Sequence, residues 1–346
     1  MSQRKKFAHL REEVKKLKFR AIDSADSYSS MTFKAIDGGK MGIDLSPFEV
    51  DIVEIADSHG NVKMKFAIPA NEEMKNFDYS EINNKKEMQE FLTLLKVKSV
   101  KEVSEILTDS GTFMEIGEWA CIFDKITNNT DDDLIVLKDG LLRSKKLKDE
   151  HIPILIETLV KHKKRNKLVG VSKTSALLSM LSFAMYVEKL FPSGSIGYVK
   201  IPPNLEAEAY TWSGHGKIDI SSPRLFFSFG DMYIAKLSKK SDLLVTVEIP
   251  KDVKQDKQIY SDVEIEGIFG HLAKDSMYSY PVIGYPQSIM KAHETAARVG
   301  FPAELTRDMI IALLCEGLDE ESKNAIRDSW LIKSIVDKGV LGGGAT

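Results

Sequence analysis

The feature that most limits how this chain can fold is a change of hydrophobic period after its first three short apolar segments. From Met31 to Ile68 apolar residues tend to alternate with polar ones, the repeat of a strand with one buried face. Within this block MTFKAID reads as a strand ending at Asp37, GGK as a turn, FEVDIVEIAD as a second strand, and VKMKFAI, after HGN, as a third. Strands joined by such short turns pair as antiparallel neighbours, so the block predicts a three-stranded meander.

Beyond an acidic, polar stretch around residues 71 to 87 the period becomes helical. A long helix is predicted from Val100 to Ile126, with Val103, Ile106, Phe113, Ile116, Ala120 and Phe123 at helical spacings. DLIVLKDG is then a short buried strand, apolar from Leu134 to Leu137 and stopping at Asp139-Gly140, before a helix near Ile152 to Lys164. LVGVS at 168 to 172 is another buried strand, after which Thr174 or Ser175 caps an apolar helix. Three antiparallel strands followed by helix, strand, helix, strand, helix is the order of an RNase H-like α/β fold: a mixed sheet, three antiparallel plus parallel strands, flanked by helices. Additional C-terminal strands are expected around RLFFSFG, DMYIAKL and DLLVTVEI, and helices near 261 to 275, 286 to 299 and 303 to 330. Residues 3 to 20 also read as helix. No Pro/Gly/Ser-rich linker separates the halves, so one compact body is expected.

Composition excludes several classes. Cys121 and Cys315, the two cysteines among 346 residues, have no partners at metal-ligand spacing, which argues against a disulfide scaffold or zinc cluster and for a reducing, cytoplasmic setting. The apolar run Ala176 to Val187 is broken by two serines and falls short of the roughly 20 residues of a membrane span. The first twenty residues carry charges where a signal peptide has its apolar core. The net charge of −3 gives no global basic field, but two segments are locally basic: residues 1 to 20 carry eight Lys/Arg against Glu12 and Glu13, and residues 143 to 167 carry nine against Asp149, Glu150 and Glu157. Each is either a solvated helix face or a phosphate-contacting surface.

The residues that point to chemistry lie at strand ends and on two helices. Asp37 and Asp139 each end a strand immediately before glycine. Those strands are neighbours in the predicted sheet, so the carboxylates would meet at one edge, where ligands bind. Asp-Gly is also a common turn dipeptide. Two carboxylates held together call for a neutralising cation, and hard oxygen ligands suit Mg²⁺ or Mn²⁺, which can activate water and stabilise a leaving phosphodiester oxygen. Glu115 and Glu118, three residues apart on an otherwise apolar helix, offer a third carboxylate or form a partly exposed stripe. Asp131-Asp132-Asp133 reads as a solvated loop. In YPVIGYPQSIMKAHETA, Tyr285 precedes a helix that carries His293 eight residues later; Tyr can position phosphate or water, and His can bind metal or move a proton.

In these segments the chain resembles the NurA nuclease family. AIDGG matches the family's first strand-terminal Asp-Gly, MEIGEWA its helical Glu, LIVLKDGLL its second Asp-Gly-hydrophobic motif, VGVSKTS its Val-Gly-Val strand with a Lys-containing turn, and GYPQSIMKAH its Tyr-Pro with a His eight residues after the Tyr. The matches fall in order over about residues 30 to 300. The resemblance implies a manganese- or magnesium-dependent DNA nuclease for DNA end processing, built as a homodimer that works with a hexameric HerA-like ATPase. It assigns metal binding to Asp37, Asp139, His293 and one of Glu115 or Glu118, a nearby catalytic role to Tyr285, and phosphate contact to Lys173. It divides the chain into an N-terminal basic helix (1–25), a NurA-like nuclease domain (26–330) and a C-terminal tail (331–346). Lys138 departs from the pattern, which has an apolar residue before the second Asp. A nuclease-like adaptor that binds DNA or an ATPase ring without cutting is the alternative. An actin-like ATPase is disfavoured, because neither Asp-Gly motif extends into a phosphate loop and no GxxxxGK[ST] occurs.

Overall fold

The computed structural model describes residues 3–22, 31–45, 48–69, 77–105, 109–130, 133–144, 146–212, 229–252, 255–298 and 315–337. One mixed sheet organises them. Helix α1 (Gln3–Lys16) and the two-residue strand β1 (Arg20–Ala21) precede the meander of β2 (Thr32–Leu45), β3 (Phe48–Asp57) and β4 (Val62–Pro69). Helices α2 (Ser80–Asn83), α3 (Lys86–Leu95), α4 (Val100–Val103) and α5 (Ser110–Asn128) lead to β5 (Leu134–Asp139). Next come α6 (Ile152–His162), β6 (Asn166–Ser172), α7 (Ala176–Val187), β7 (Gly197–Lys200), α8 (Pro203–Trp212), β8 (Gly230–Lys236), β9 (Leu244–Asp252) and β10 (Lys257–Gln258). The described chain closes with α9 (Asp262–Ser276), α10 (Gln287–Ala297) and α11 (Glu320–Asp337).

The strand order is β1-β7-β8-β9-β6-β5-β2-β3-β4, with β10 beside β9. β2, β3 and β4 pair antiparallel, β5 joins β2 in parallel, and β6 joins β5 in parallel. That five-strand unit is the RNase H-like arrangement expected from the order of periodicities. β9, β8, β7 and β1 extend it antiparallel from β6. β5 and β6 are buried along nearly their whole length, as parallel strands covered on both faces must be.

Two large apolar cores clothe the sheet, beside a small cluster of Ile43, Ile52 and Cys315. The larger joins Val53, Ile55 and Phe66 of the meander to Trp119 and Phe123 of α5, Leu155 of α6 and Ile289 of α10. The smaller joins Leu10 and Val14 of α1 to Leu177 and Leu181 of α7 and to Val199, Met232 and Ile234 on β7 and β8. The apolar side of the basic N-terminal helix is therefore buried within its own chain. Of its cations, Arg11 pairs with Glu188 and Lys6 lies over the Trp212 ring. Among the described residues no helix is long and apolar enough to cross a membrane.

Several elements differ from the sequence expectation. The first strand does not end at Asp37: β2 runs on through Gly38 and Gly39, which pair with Ile55 and Glu54 of β3. Gly38 is there for close packing, since a Cβ would lie 2.5 Å from Met114 Cγ and 2.8 Å from Glu118 Oε1. The expected helix from Val100 to Ile126 is two helices, because Ser104 is extended and Asp109 caps a new start by accepting from the Thr112 N–H at 3.0 Å. Part of the polar stretch before it is helical, as α2 and the first residues of α3. The N-terminal helix stops at Lys16, and Arg20 and Ala21 pair with Tyr198 and Gly197 of β7, a four-residue strand whose brevity hides it in the sequence. Ser175, not Thr174, caps α7. Most of RLFFSFG, the first part of the expected helix at 303 to 330 and the end of the chain lie outside the described residues.

A methyl group at Gly38 has no space without displacing Glu118 or Met114. Gly38→Ala is expected to cost about 1–3 kcal/mol, the usual penalty of overpacking, measured as a lower urea midpoint with unchanged slope.

Candidate metal centre

The site begins with strand register. Parallel pairing sets Ile36 of β2 opposite Lys138 of β5, so the next residues along, Asp37 and Asp139, project from the same face of the sheet. β5 stops there. Gly140 takes φ +92°, a conformation side-chain-bearing residues rarely adopt, and donates its N–H to the Val171 carbonyl at 2.8 Å. The chain that leaves is tied down two residues later: buried Glu248 of β9 accepts from the Leu142 N–H at 2.8 Å and from Arg143 Nε at 3.2 Å, and Arg143 also pairs with Glu206 of α8. Of the two Asp-Gly motifs, the second is thus a strand end held in place.

Helix α10 packs over the face that carries the two aspartates. His293 Nδ1 lies 2.8 Å from Asp37 Oδ2 and 4.0 Å from Asp139 Oδ2. Each of the three residues offers a ligand atom within 4.8 Å of the others, and among the described residues no further such group of His, Cys, Asp or Glu is found. Tyr285, immediately ahead of α10, is buried and donates its O–H to Asp139 Oδ1 at 2.8 Å.

Alternation along the strands sends Gly38 and Lys138 to the opposite face, under α5. Glu118 meets them there: Oε1 accepts the Gly38 N–H at 3.1 Å, and Oε2 accepts from Lys138 Nζ at 2.7 Å. Lys138 also donates to the Asp139 carbonyl at 3.2 Å. Glu118 is buried, whereas Glu115, almost one turn earlier, is half-buried and outside the three-residue group. Lys173 is exposed, with Nζ 5.7 Å from the centre of the Tyr285 ring. It lines a cavity of about 470 Å³ together with Asp139, His293, Tyr280, Val282 and Met290.

Burial, reinforced by the charge of Asp139, holds the Asp37 carboxyl above its ordinary range, while His293 and Lys138 pull it back. Burial likewise raises the Tyr285 phenol, with Asp139 adding to it, so Tyr285 keeps its proton and acts as a fixed donor. Glu118 is pushed up to about 7 by burial against the pull of Lys138. Burial alone would lower Lys138, but Glu118 and Glu115 outweigh it and hold the ammonium above its usual value.

The donor set suits a divalent cation. Two carboxylates and an imidazole converge on one point, one carboxyl is raised partly by the other's charge, and hard oxygens with one nitrogen match Mn²⁺ or Mg²⁺. Asp37, Asp139 and His293 are the residues that could hold it. The sequence reading placed these three and Tyr285 near one another, and the structure brings them together. It leaves Glu115 outside the group and gives Glu118 to Lys138. Lys138 stood out in the sequence as a departure from pattern, and its partner was legible only once strand alternation set it under α5. Tyr280 and Val282 went unmarked, although SYPVIGYP is an unusually apolar stretch for a surface loop.

Comparison with protein-family models finds no match, and comparison with curated proteins finds none. Among solved structures the chain is similar to the NurA nuclease from Sulfolobus solfataricus, with 13% identity over 92% of this chain and 93% of that one and a TM-score of 0.49. It is also similar to a NurA bound to dAMP and manganese, with 8% identity over 93% and 94% of the two chains and a TM-score of 0.48.

The raised Asp37 carboxyl has a consequence for stability. A carboxyl whose folded pKa lies above its unfolded value takes up a proton on folding, so its contribution to stability falls as pH rises through that window. In EDTA, Asp37→Asn is therefore expected to have a higher urea midpoint than wild type at pH 7.5. The difference should shrink toward pH 4, as Asp37 becomes protonated in the folded state and begins to be protonated in the unfolded one.

Proposed function

We propose that the chain is a manganese- or magnesium-dependent DNA nuclease that hydrolyses phosphodiester bonds. The observation that carries this reading is the convergence of Asp37 from β2, Asp139 from β5 and His293 from α10, three distant parts of the sequence, into one group with ligand atoms within 4.8 Å. A divalent ion held there would lower the pKa of a bound water and stabilise charge on phosphodiester oxygens. The protein's own groups prepare the place. Tyr285 fixes the orientation of Asp139 through a hydrogen bond whose proton it does not give up. His293, more than half exposed, stands at the mouth of the site, and exposed Lys173 adds a positive charge at the cavity rim where a phosphate would approach. The cavity wall of Tyr280, Val282, Tyr285 and Met290 gives the nucleoside attached to that phosphate an apolar, partly aromatic surface.

The resemblance of the motifs supports DNA as the substrate and, with it, a homodimer working with a HerA-like hexameric ATPase in DNA end processing. A net charge of −3 gives the chain little long-range attraction for DNA, which suits capture through local basic segments and a partner's channel. Arg4, Lys5 and Lys18 are exposed beside the docked face of α1, and they are the cations of that segment which we assign to this contact. Two buried cysteine thiols are in keeping with a reducing, cytoplasmic setting. The second reading, a nuclease-like adaptor that binds without cutting, is favoured by one observation: Glu118 is engaged by Lys138.

Purified protein incubated with end-labelled single- and double-stranded DNA separates the two readings. Cleavage is expected with Mn²⁺ or Mg²⁺ and not with EDTA, and a HerA-like ATPase is expected to raise it. Asp37→Ala and Asp139→Ala should abolish cutting with an unchanged circular dichroism spectrum, and Tyr285→Phe should lower it about 10- to 100-fold, the usual effect of losing a partner of a ligand. Undiminished cutting by Asp37→Ala in Mn²⁺ would overturn the assignment of the site.

A further inference from the structure

Behind the aspartate pair, on the α5 side of the sheet, lies a second set of charges that the proposed reaction does not use. Nuclease centres built on several carboxylates commonly share them between two cations about 4 Å apart. In this chain one of the carboxylates already has a cation. Lys138 Nζ is 2.7 Å from Glu118 Oε2, and the two side chains are only 9% and 6% exposed. The other Glu118 oxygen accepts the Gly38 N–H, and the ammonium makes a further bond to the carbonyl of Asp139 itself. Lys138 is thus fixed between the helix that carries Glu118 and the strand that carries Asp139, close enough to draw down the Asp37 carboxyl. A divalent ion seeking Glu118 would have to displace this ammonium from the oxygen it holds, against the repulsion of a second positive charge.

Strand alternation leaves Lys138 little choice of place. Because Asp139 faces α10, the residue before it faces α5, and the bare Cα of Gly38 lets α5 come close enough for Glu118 to reach the ammonium. We propose that Lys138 is a built-in cation that takes the place of a second divalent ion, so that the centre holds one divalent ion on Asp37, Asp139 and His293 and withholds Glu118 from it. Lys138 is in this sense a positioning residue. The inference rests on the metal-dependent reading above.

Counting Mn²⁺ tests it without reference to cleavage. The full chain is titrated with Mn²⁺ and followed by electron paramagnetic resonance, in which free ion gives a sharp six-line signal and two neighbouring bound ions give a spin-coupled spectrum. Wild type and Lys138→Arg are expected to bind one ion per chain with no coupling. Lys138→Met is expected to bind two, spin-coupled, and adding Glu118→Gln to it should return the count to one. Lys138→Gln, which keeps a hydrogen bond without the charge, is a second variant with an expected count of two should Lys138→Met not fold. Two coupled ions in wild type, or one ion in a folded Lys138→Met or Lys138→Gln protein, would overturn the role of Lys138 while leaving the metal site standing. No bound ion in wild type would instead overturn the metal-dependent reading on which the inference rests.

Discussion

Everything proposed for this protein depends on the parallel pairing of β2 with β5. These strands lie about 100 residues apart in the chain, and their register puts Asp37 level with Asp139 on one face and Ile36 level with Lys138 on the other, the face that Gly38 shares. A slip of one residue would turn one of the two strands over relative to the other and leave Asp37 and Asp139 on opposite faces of the sheet. The register is held by the fully buried apolar side chains of Ile135, Val136 and Leu137 on β5 and Ala35 and Ile36 on β2. The end of β5 is held by the Gly140 turn and by Glu248, which grips Leu142 and Arg143.

The two faces then divide the electrostatic work. On the α10 face, like charges are brought together with an imidazole, an arrangement that a cation would relieve. On the α5 face, unlike charges are already joined, and the pair is closed off from solvent. An ion pair this buried contributes little net stability against an apolar replacement, because desolvating both groups offsets their attraction, yet removing one partner alone is costly. Its value lies in specifying where a charge sits. Lys138 lies on the α5 face, bonded there to Glu118 and to the backbone carbonyl of Asp139.

Much of this was legible in the sequence, for a physical reason. Strands buried on both faces and strands buried on one leave different hydrophobic periods, so the meander, β5, β6 and their order could be read directly. Asp139 was readable as a strand end because Gly140 needs a positive φ. Asp37 was misread as one because glycine serves two purposes: Gly38 is there so that α5 can approach, and the strand continues through it. The break between α4 and α5 was hidden because Val103 and Phe113 keep a helical spacing across residues that are not continuously helical, while the cap at Asp109 is a single hydrogen bond. β7 and β1 were too short to carry a period. The helix and its basic character were visible at α1, but not that α7 of the same chain covers its apolar side. The pairing of Glu118 with Lys138 needed the alternation of β5 and the position of α5 at once, and neither is a property of the local sequence.

The central claim, that Asp37, Asp139 and His293 form one divalent-ion site, is tested most directly by diffraction from crystals grown with Mn²⁺ and measured where manganese scatters anomalously. The account predicts an anomalous peak among Asp37, Asp139 and His293, with no second peak at Glu118. Crystals with no peak there, or with manganese bound only elsewhere on the molecule, would contradict it.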